Sequence, residues 1–321
     1  MEDLLVYETL RTYSLNGILN SSYRMIYVKS GQLACGVRYL IWEFTESNFS
    51  TFIIPNTAFG VLGALASSVL TPGSQDFSPQ PWEILSRIPA TLFFNWTMTF
   101  IFDLSNQRSS ASVQEDSLNK PWRPIPTGKI TAQQTRAVTL AMVPLSLGLC
   151  YALGVWNEGN LILVLTWLYN DLRGGDTLAR DLIIAVEFGL FNSASLQIAA
   201  GGRAANMGHG ENLLSDIGLR WTALISTVIW TTMQVQDLKD QAGDRVRGRM
   251  TLPLVLGERV SRLSIAGFVL FWSGVCAYFW QLPLGAYALP AAAGSIVALR
   301  ILSKWTPEED AQLGGGGAFG L

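Results

Sequence analysis

Asp237, Asp240 and Asp244 stand at i, i+3 and i+7 in the stretch "QVQDLKDQAGDRVRGRMTLP", which runs from Gln234 to Pro253. On a helix that spacing gathers three carboxylates within about 60° of one another. Like charges this close repel, so a cation is expected among them. No His or Cys lies nearby, and an all-oxygen ligand set favours a hard ion such as Mg²⁺. That ion keeps its waters and binds through one or two carboxylates plus substrate phosphates. The same residues also read as the solvated end of an apolar helix, with the arginines beyond them as a topology signal. Spacing alone leaves both readings open. Trp230 and Met233 fall on the aspartate face one and two turns deeper, so the face is expected to pass from carboxylate to aromatic.

A second cluster closes another apolar run, in "FDLSNQRSSASVQEDSLNKPWRPIPTGKIT". Asn95, Thr99 and Asn106 share a predicted helical face, Asp103 lies beside it, and Glu115 and Asp116 are expected to follow in the loop. Each cluster carries its own cations: Lys120 and Arg123 here, Lys239, Arg245, Arg247 and Arg249 there. Carboxylates that hold Mg²⁺ beside cations that hold phosphate are what ionising a diphosphate ester demands, because both stabilise the departing pyrophosphate.

The elements that must position these clusters follow from composition. The chain is 49% hydrophobic and 14% charged with 11 Trp, against about 25% charged residues in soluble domains. Eight apolar stretches, near 51–70, 84–104, 133–154, 159–172, 182–200, 219–237, 262–280 and 285–302, approach the roughly 20 residues that a bilayer span takes. The expected fold is all-α, an integral membrane bundle of about eight transmembrane helices. Of the 22 Lys and Arg residues, all but Arg87, Arg203 and Arg220 fall on the side shared by both termini and the even-numbered loops. That asymmetry predicts cytosolic termini and places both acidic clusters at one cytosolic mouth. "RYLIWEFTESNFS", before the first stretch, suits the membrane interface.

Other residues are weighed the same way. Glu187, inside the fifth stretch, is expected to face the bundle interior, because a charge in lipid is costly. Its expected role is structural, with a hydrogen-bond partner such as Asn192. Trp96, Phe100, Tyr169, Phe188, Phe191 and Trp230 are candidates to line a tunnel and shield a cation, Trp230 foremost. His209 has no ligand partners nearby, and the three cysteines, Cys35, Cys150 and Cys276, imply no disulfide framework. Net charge of −2 and the absence of a basic domain give no reason to expect nucleic acid. Nothing at the N-terminus reads as a cleavable signal peptide.

"DLKDQAGDRVRGRMTLPLVLGE" resembles the second aspartate-rich motif of the UbiA superfamily of intramembrane prenyltransferases, and "NQ…ED…NKPWRPIPTGKIT" resembles the first. The resemblance implies Mg²⁺ held by Asn106, Glu115, Asp116, Asp237, Asp240 and Asp244 and bridged to an isoprenyl diphosphate. Tyr169 and Arg173 are similar to the family's Tyr and basic residue near the diphosphate; Lys120, Arg123 and Lys239, cations of the two clusters, and Trp230, on the aspartate face, are the other expected substrate contacts. The first motif departs from the family pattern: Gln107 follows Asn106 where an Asp is usual, a middle carboxylate is missing, and Glu115 and Asp116 arrive late. Asp103 is the nearest substitute. This variant is similar to the fungal branch that includes membrane-bound class I terpene cyclases.

The expected organisation is therefore an N-terminal cytosolic or interfacial segment over 1–50, a UbiA-like catalytic domain over 51–305 and a disordered tail over 306–321. The expected activity is Mg²⁺-dependent ionisation of an isoprenyl diphosphate by a terpene cyclase in an endomembrane such as the endoplasmic reticulum. No obligate protein partner is evident. A prenyltransferase with an aromatic or lipid acceptor is the alternative. A transporter is disfavoured, since transport sites sit near the midplane rather than at one mouth.

Overall fold

The computed structural model describes residues 36–71, 79–201, 214–306 and 309–310. Arg11, Arg24, Lys29, Cys35, Arg203, His209 and most of the acidic, Gly-rich tail lie outside the described residues. The chain divides into two compact units, residues 1–44 and 45–321. Of the first, 36–44 are described and helical. The second opens with a helical stretch at 45–48 and a π-helical turn, Phe49–Ile53.

Ten principal helices follow: α1 (Ile54–Leu65), α2 (Pro81–Gln107), α3 (Ser110–Asn119), α4 (Ala132–Leu153), α5 (Trp156–Asn170), α6 (Arg180–Ala200), α7 (Asp216–Thr232), α8 (Asp237–Arg247), α9 (Glu258–Phe279) and α10 (Ala288–Ser303). No strand occurs among the described residues. Each apolar stretch marked in the sequence falls on a helix. Local signals set the ends. Pro81 occupies the first turn of α2, where its missing N–H costs nothing, and Gln80 and Glu83 form a capping box. Thr131 and Gln134 do the same for α4, and Gly154 ends it in the left-handed conformation.

Among the described residues, four segments are long and apolar enough to cross a membrane: α4, α6, α9, and α10 with its preceding turn. α4 and α10 leave Leu140, Leu145, Leu289 and Leu299 exposed, which suits a hydrocarbon surround rather than water. α6 is the inner helix. It packs closely on α1 because Gly60 has no side chain; a Cβ there would lie 2.5 Å from the Ser195 backbone. Asn95 of α2 fills the same junction, donating to Thr57 at 3.0 Å and to Ser195 at 2.9 Å. Below it, Phe94, Met98, Cys150, Ile162, Phe191 and Ala194 form a buried apolar cluster.

The sixth apolar stretch is not one α-helix. α7 stops at Thr232, a 3₁₀ turn covers Met233–Gln236, and α8 begins at Asp237. A 3₁₀ turn has three residues per turn instead of 3.6. Four such residues advance the register by about 80° relative to a continuous helix.

Candidate active site

α3 and α8, the two polar helices, pack on each other and so unite the two acidic clusters. Asn119, at the end of α3, joins them: its side chain donates to the Asp240 carbonyl at 3.0 Å and accepts from the Gly243 N–H at 3.1 Å. Glycine is required at 243, because a Cβ there would collide with the Asn119 amide.

Arginines then cross between the elements. Arg247 donates to Asp176 at 2.7 Å and to Ser112 and Glu115 at 2.8 Å each. Arg249 donates to Glu115 at 2.8 Å and to Asp244 at 3.3 Å. Arg123 spans both oxygens of Asp116, at 2.8 and 3.0 Å. Arg180, at the head of α6, holds Asp181 at 2.8 Å and Asp237 at 2.9 Å. Glu115, Asp116 and Asp237 are thus each engaged by a guanidinium. Asp244 keeps one oxygen, Oδ2, buried and without a partner. Asn106 donates its amide to Asn170 at 3.0 Å.

A cavity with about 920 Å³ of empty space, part of it open to the outside, lies beside this network. Asn106, Glu115, Lys120, Arg123, Arg180, Asp240 and Arg249 supply its polar lining; Phe52, Phe102, Tyr169, Phe188, Phe191 and Met233 supply its apolar lining. On α6 the lining residues run from Arg180 through Ile184, Glu187 and Phe188 to Phe191. Eleven steps of 1.5 Å separate Arg180 from Phe191 by about 16 Å along the helix axis, so the wall passes from a guanidinium-bearing turn to a phenyl-bearing one. Phe52 caps that end, with its ring 4.4 Å from Phe188 and 4.7 Å from Phe191.

The electrostatics at the mouth suit an anion that arrives with a cation. Arg123 alongside, together with burial, lowers the Lys120 ammonium to about 8, so it is mostly charged at neutral pH. Burial raises Asp244 to about 6 against the pull of Arg249, so it is mostly ionised there. Burial likewise raises Asp116, against the pull of Arg123.

Among the described residues, no group of three His, Cys, Asp or Glu side chains is arranged to hold a metal alone. Mg²⁺ needs only one or two carboxylates when phosphate oxygens complete its shell. Asp240, on the cavity wall, and Asp244, four residues on with its orphaned buried oxygen, fit that requirement.

Not every residue singled out in the sequence reaches this site. Trp230 is 47% exposed and does not line the cavity. The expectation extended one uninterrupted helix through Asp237, and the 3₁₀ turn breaks that register; Met233, inside the turn, does face the cavity. Arg173 has an exposed side chain, pairs with Asp176 at 2.7 Å and stays out of the lining, as does Lys239. Asn95 serves the α1–α6 junction rather than the mouth. Trp96 donates to Thr45 and Phe100 is buried elsewhere; neither lines the cavity. Glu187 does face inward, but its partner is Thr166, at 3.4 Å, and not Asn192.

Other lining residues escaped the sequence reading: Asn48, Thr51, Phe52 and Phe102. The pairing role of Arg180 did too. Its signal was an arginine directly heading an apolar helix, where burial would demand an acidic partner.

The helical architecture, with a charged mouth over an apolar cavity, is that of an intramembrane enzyme for amphiphilic substrates. Residues 61–319 match the UbiA prenyltransferase family, and the chain belongs to that family of integral membrane proteins. It is similar to a diterpene cyclase of Hericium erinaceus, 30% identical over 280 residues that cover 84% of this chain and 81% of that protein. It is also similar to the somaliensene A/B synthase of Streptomyces somaliensis, 28% identical over 239 residues, 72% of this chain and 70% of that one. Among solved structures, a UbiA homologue from Archaeoglobus fulgidus bound to GPP and Mg²⁺ shares the fold with a TM-score of 0.62 and 15% identity. The match covers 87% of this chain and 98% of that one.

Proposed function

We propose that this protein ionises an isoprenyl diphosphate with Mg²⁺ and cyclises the resulting allylic cation, as a class I terpene cyclase. The supporting observation is the gradient along one cavity, from carboxylates and guanidinium groups at the ends of helices to phenyl rings about 16 Å along α6. A diphosphate head and an apolar tail of one substrate match those two ends. Mg²⁺, when bound, supplies Lewis-acid neutralisation of the charge on the departing pyrophosphate.

The chain's own residues do the rest. Asp240 and Asp244 would hold the metal. Lys120, Arg180 and Arg249, on the cavity wall, place fixed positive charge beside the leaving group. Phe52, Phe188 and Phe191 exclude water from the cation and offer it their ring faces. The charge asymmetry of the sequence supports eight crossings with the mouth toward the cytosol. The similarity to two named terpene synthases favours cyclisation, while the family's own name keeps transfer of the prenyl group to an acceptor as the second reading.

Purified protein in detergent, given Mg²⁺ and farnesyl or geranylgeranyl diphosphate alone, is expected to release pyrophosphate and a cyclic hydrocarbon. Silence until an aromatic or lipid acceptor is added would overturn the cyclase reading in favour of the transferase. Unchanged turnover in EDTA would remove the metal.

A further inference from the structure

The first acidic cluster poses an electrostatic problem that the second does not. Its two expected carboxylate ligands, Glu115 and Asp116, are both neutralised by arginines. Asp103, also on the cavity wall, is not. It is 1% exposed. Asn48 donates to its Oδ1 at 2.6 Å, while its Oδ2 is buried with no hydrogen-bond partner. A carboxylate taken out of water keeps its charge only with a cation close by. Two cations of the cavity act on it: Arg123 is already committed to Asp116, and Lys120, with no ion pair to Asp103, is shared with Asp240 and Asp116.

Thr99, Phe102, Asp103 and Asn106 all line the cavity from one face of α2. Asn106 spends its amide N–H on Asn170, which leaves its carbonyl oxygen free to serve as a ligand. Asp103 and Asn106 therefore offer two oxygens, about one helical turn apart, toward the space that the diphosphate is proposed to fill.

We propose that Asp103 is a direct Mg²⁺ ligand of this site, with Asn106 beside it and Asn48 as the residue that orients it. This rests on the proposed Mg²⁺-dependent reading and goes beyond it by assigning the ligand on α2. The ion would sit between α2 and α8, held on one side by Asp103 and on the other by Asp240.

The test is binding rather than turnover. Mn²⁺ serves as the paramagnetic probe, titrated into the purified full chain in detergent, with and without inorganic pyrophosphate, and followed by electron paramagnetic resonance. Asp103→Asn is expected to weaken Mn²⁺ binding by about tenfold or more, and Asp103→Glu to recover part of it. Asn48→Ala, which leaves the carboxylate but removes its brace, should cost about tenfold, as losing a residue that orients a metal ligand commonly does. That variant carries the test if Asp103→Asn does not fold. Wild-type Mn²⁺ affinity in Asp103→Asn, or in Asn48→Ala when that variant carries the test, overturns this assignment and leaves the Mg²⁺ reading standing. So does unchanged Mn²⁺ affinity with weakened pyrophosphate binding, which makes Asp103 the counter-ion of Lys120. Failure of the wild-type protein to bind Mn²⁺ under either condition overturns both.

Discussion

Asp237, Asp240 and Asp244 share one helix and one charge, yet their surroundings assign them different work. Asp237 is gripped by Arg180, Asp244 gives one oxygen to Arg249, and Asp240 lines the cavity. Asp240→Ala should therefore abolish Mg²⁺-dependent pyrophosphate release with little change in melting temperature. Asp237→Ala should lose activity and stability together, because it strips a partner from buried Arg180. The loss should be about 3 kcal/mol, the low end for breaking a buried pair, since Asp181 still holds the guanidinium. Thermal melts beside turnover assays check both; near-normal activity in Asp240→Ala would reduce this face to a topology signal. The i, i+3, i+7 pattern made the carboxylates visible in the sequence. Which arginine holds which carboxylate was not visible, because Arg123, Arg180, Arg247 and Arg249 find partners that depend on how five elements converge.

At the scale of elements, the site depends on α3 lying flush against α8. The contact is specific: Asn119 reads the backbone at Asp240 and Gly243, and Gly243 leaves room for it. Gly243→Ala should push the helices apart, at about 1–3 kcal/mol for overpacking, and raise the KM for the diphosphate more than it lowers kcat, because both motifs would retreat from the same anion. Asn119→Ala keeps the space but loses two hydrogen bonds, worth about 0.5–1.5 kcal/mol each, and should give a milder version of the same shift. Steady-state kinetics on folded protein separates these from simple unfolding. Equal loss of kcat with KM unchanged would argue that the clamp only holds the fold. The apolar helices were legible in the sequence, since apolar runs and Pro or Gly end signals mark them; α3, which carries Glu115 and Asp116, was read as a loop because its residues are polar and form no such run. Nor was the 3₁₀ turn at Met233–Gln236 legible. Gln234 and Gln236 interrupt the apolar run there, but no Gly or Pro marks a break, so nothing in the sequence announced the changed register. That turn moved Trp230 out of the site.

For the whole molecule, the proposed cyclisation turns on whether the cavity can shelter a cation from water until the chain has folded on itself. A transferase needs an approach for a second substrate. A cyclase needs a wall that stays closed around one. At the apolar end of the cavity Phe52 meets Phe191 edge to face and Phe188 at a tilt, and such ring pairs are worth about 0.5–1.5 kcal/mol beyond burial. They hold the wall rigid as well as apolar. Phe188 lines the cavity and packs at a tilt on Phe52, so truncating it opens space for water beside the reacting chain. Phe188→Ala is accordingly expected to keep pyrophosphate release, which depends on the mouth, while products shift from hydrocarbons toward alcohols formed by water capture. Trp230→Ala, altering a side chain that stands outside the cavity, should leave the product pattern as it was. Mass spectrometry of extracts from the two variants, run beside wild type with the same diphosphate, reads both outcomes at once. A product shift in Trp230→Ala with none in Phe188→Ala would mean that the reacting chain lies elsewhere. An unbroken hydrocarbon pattern in both would place water exclusion in some other part of the wall.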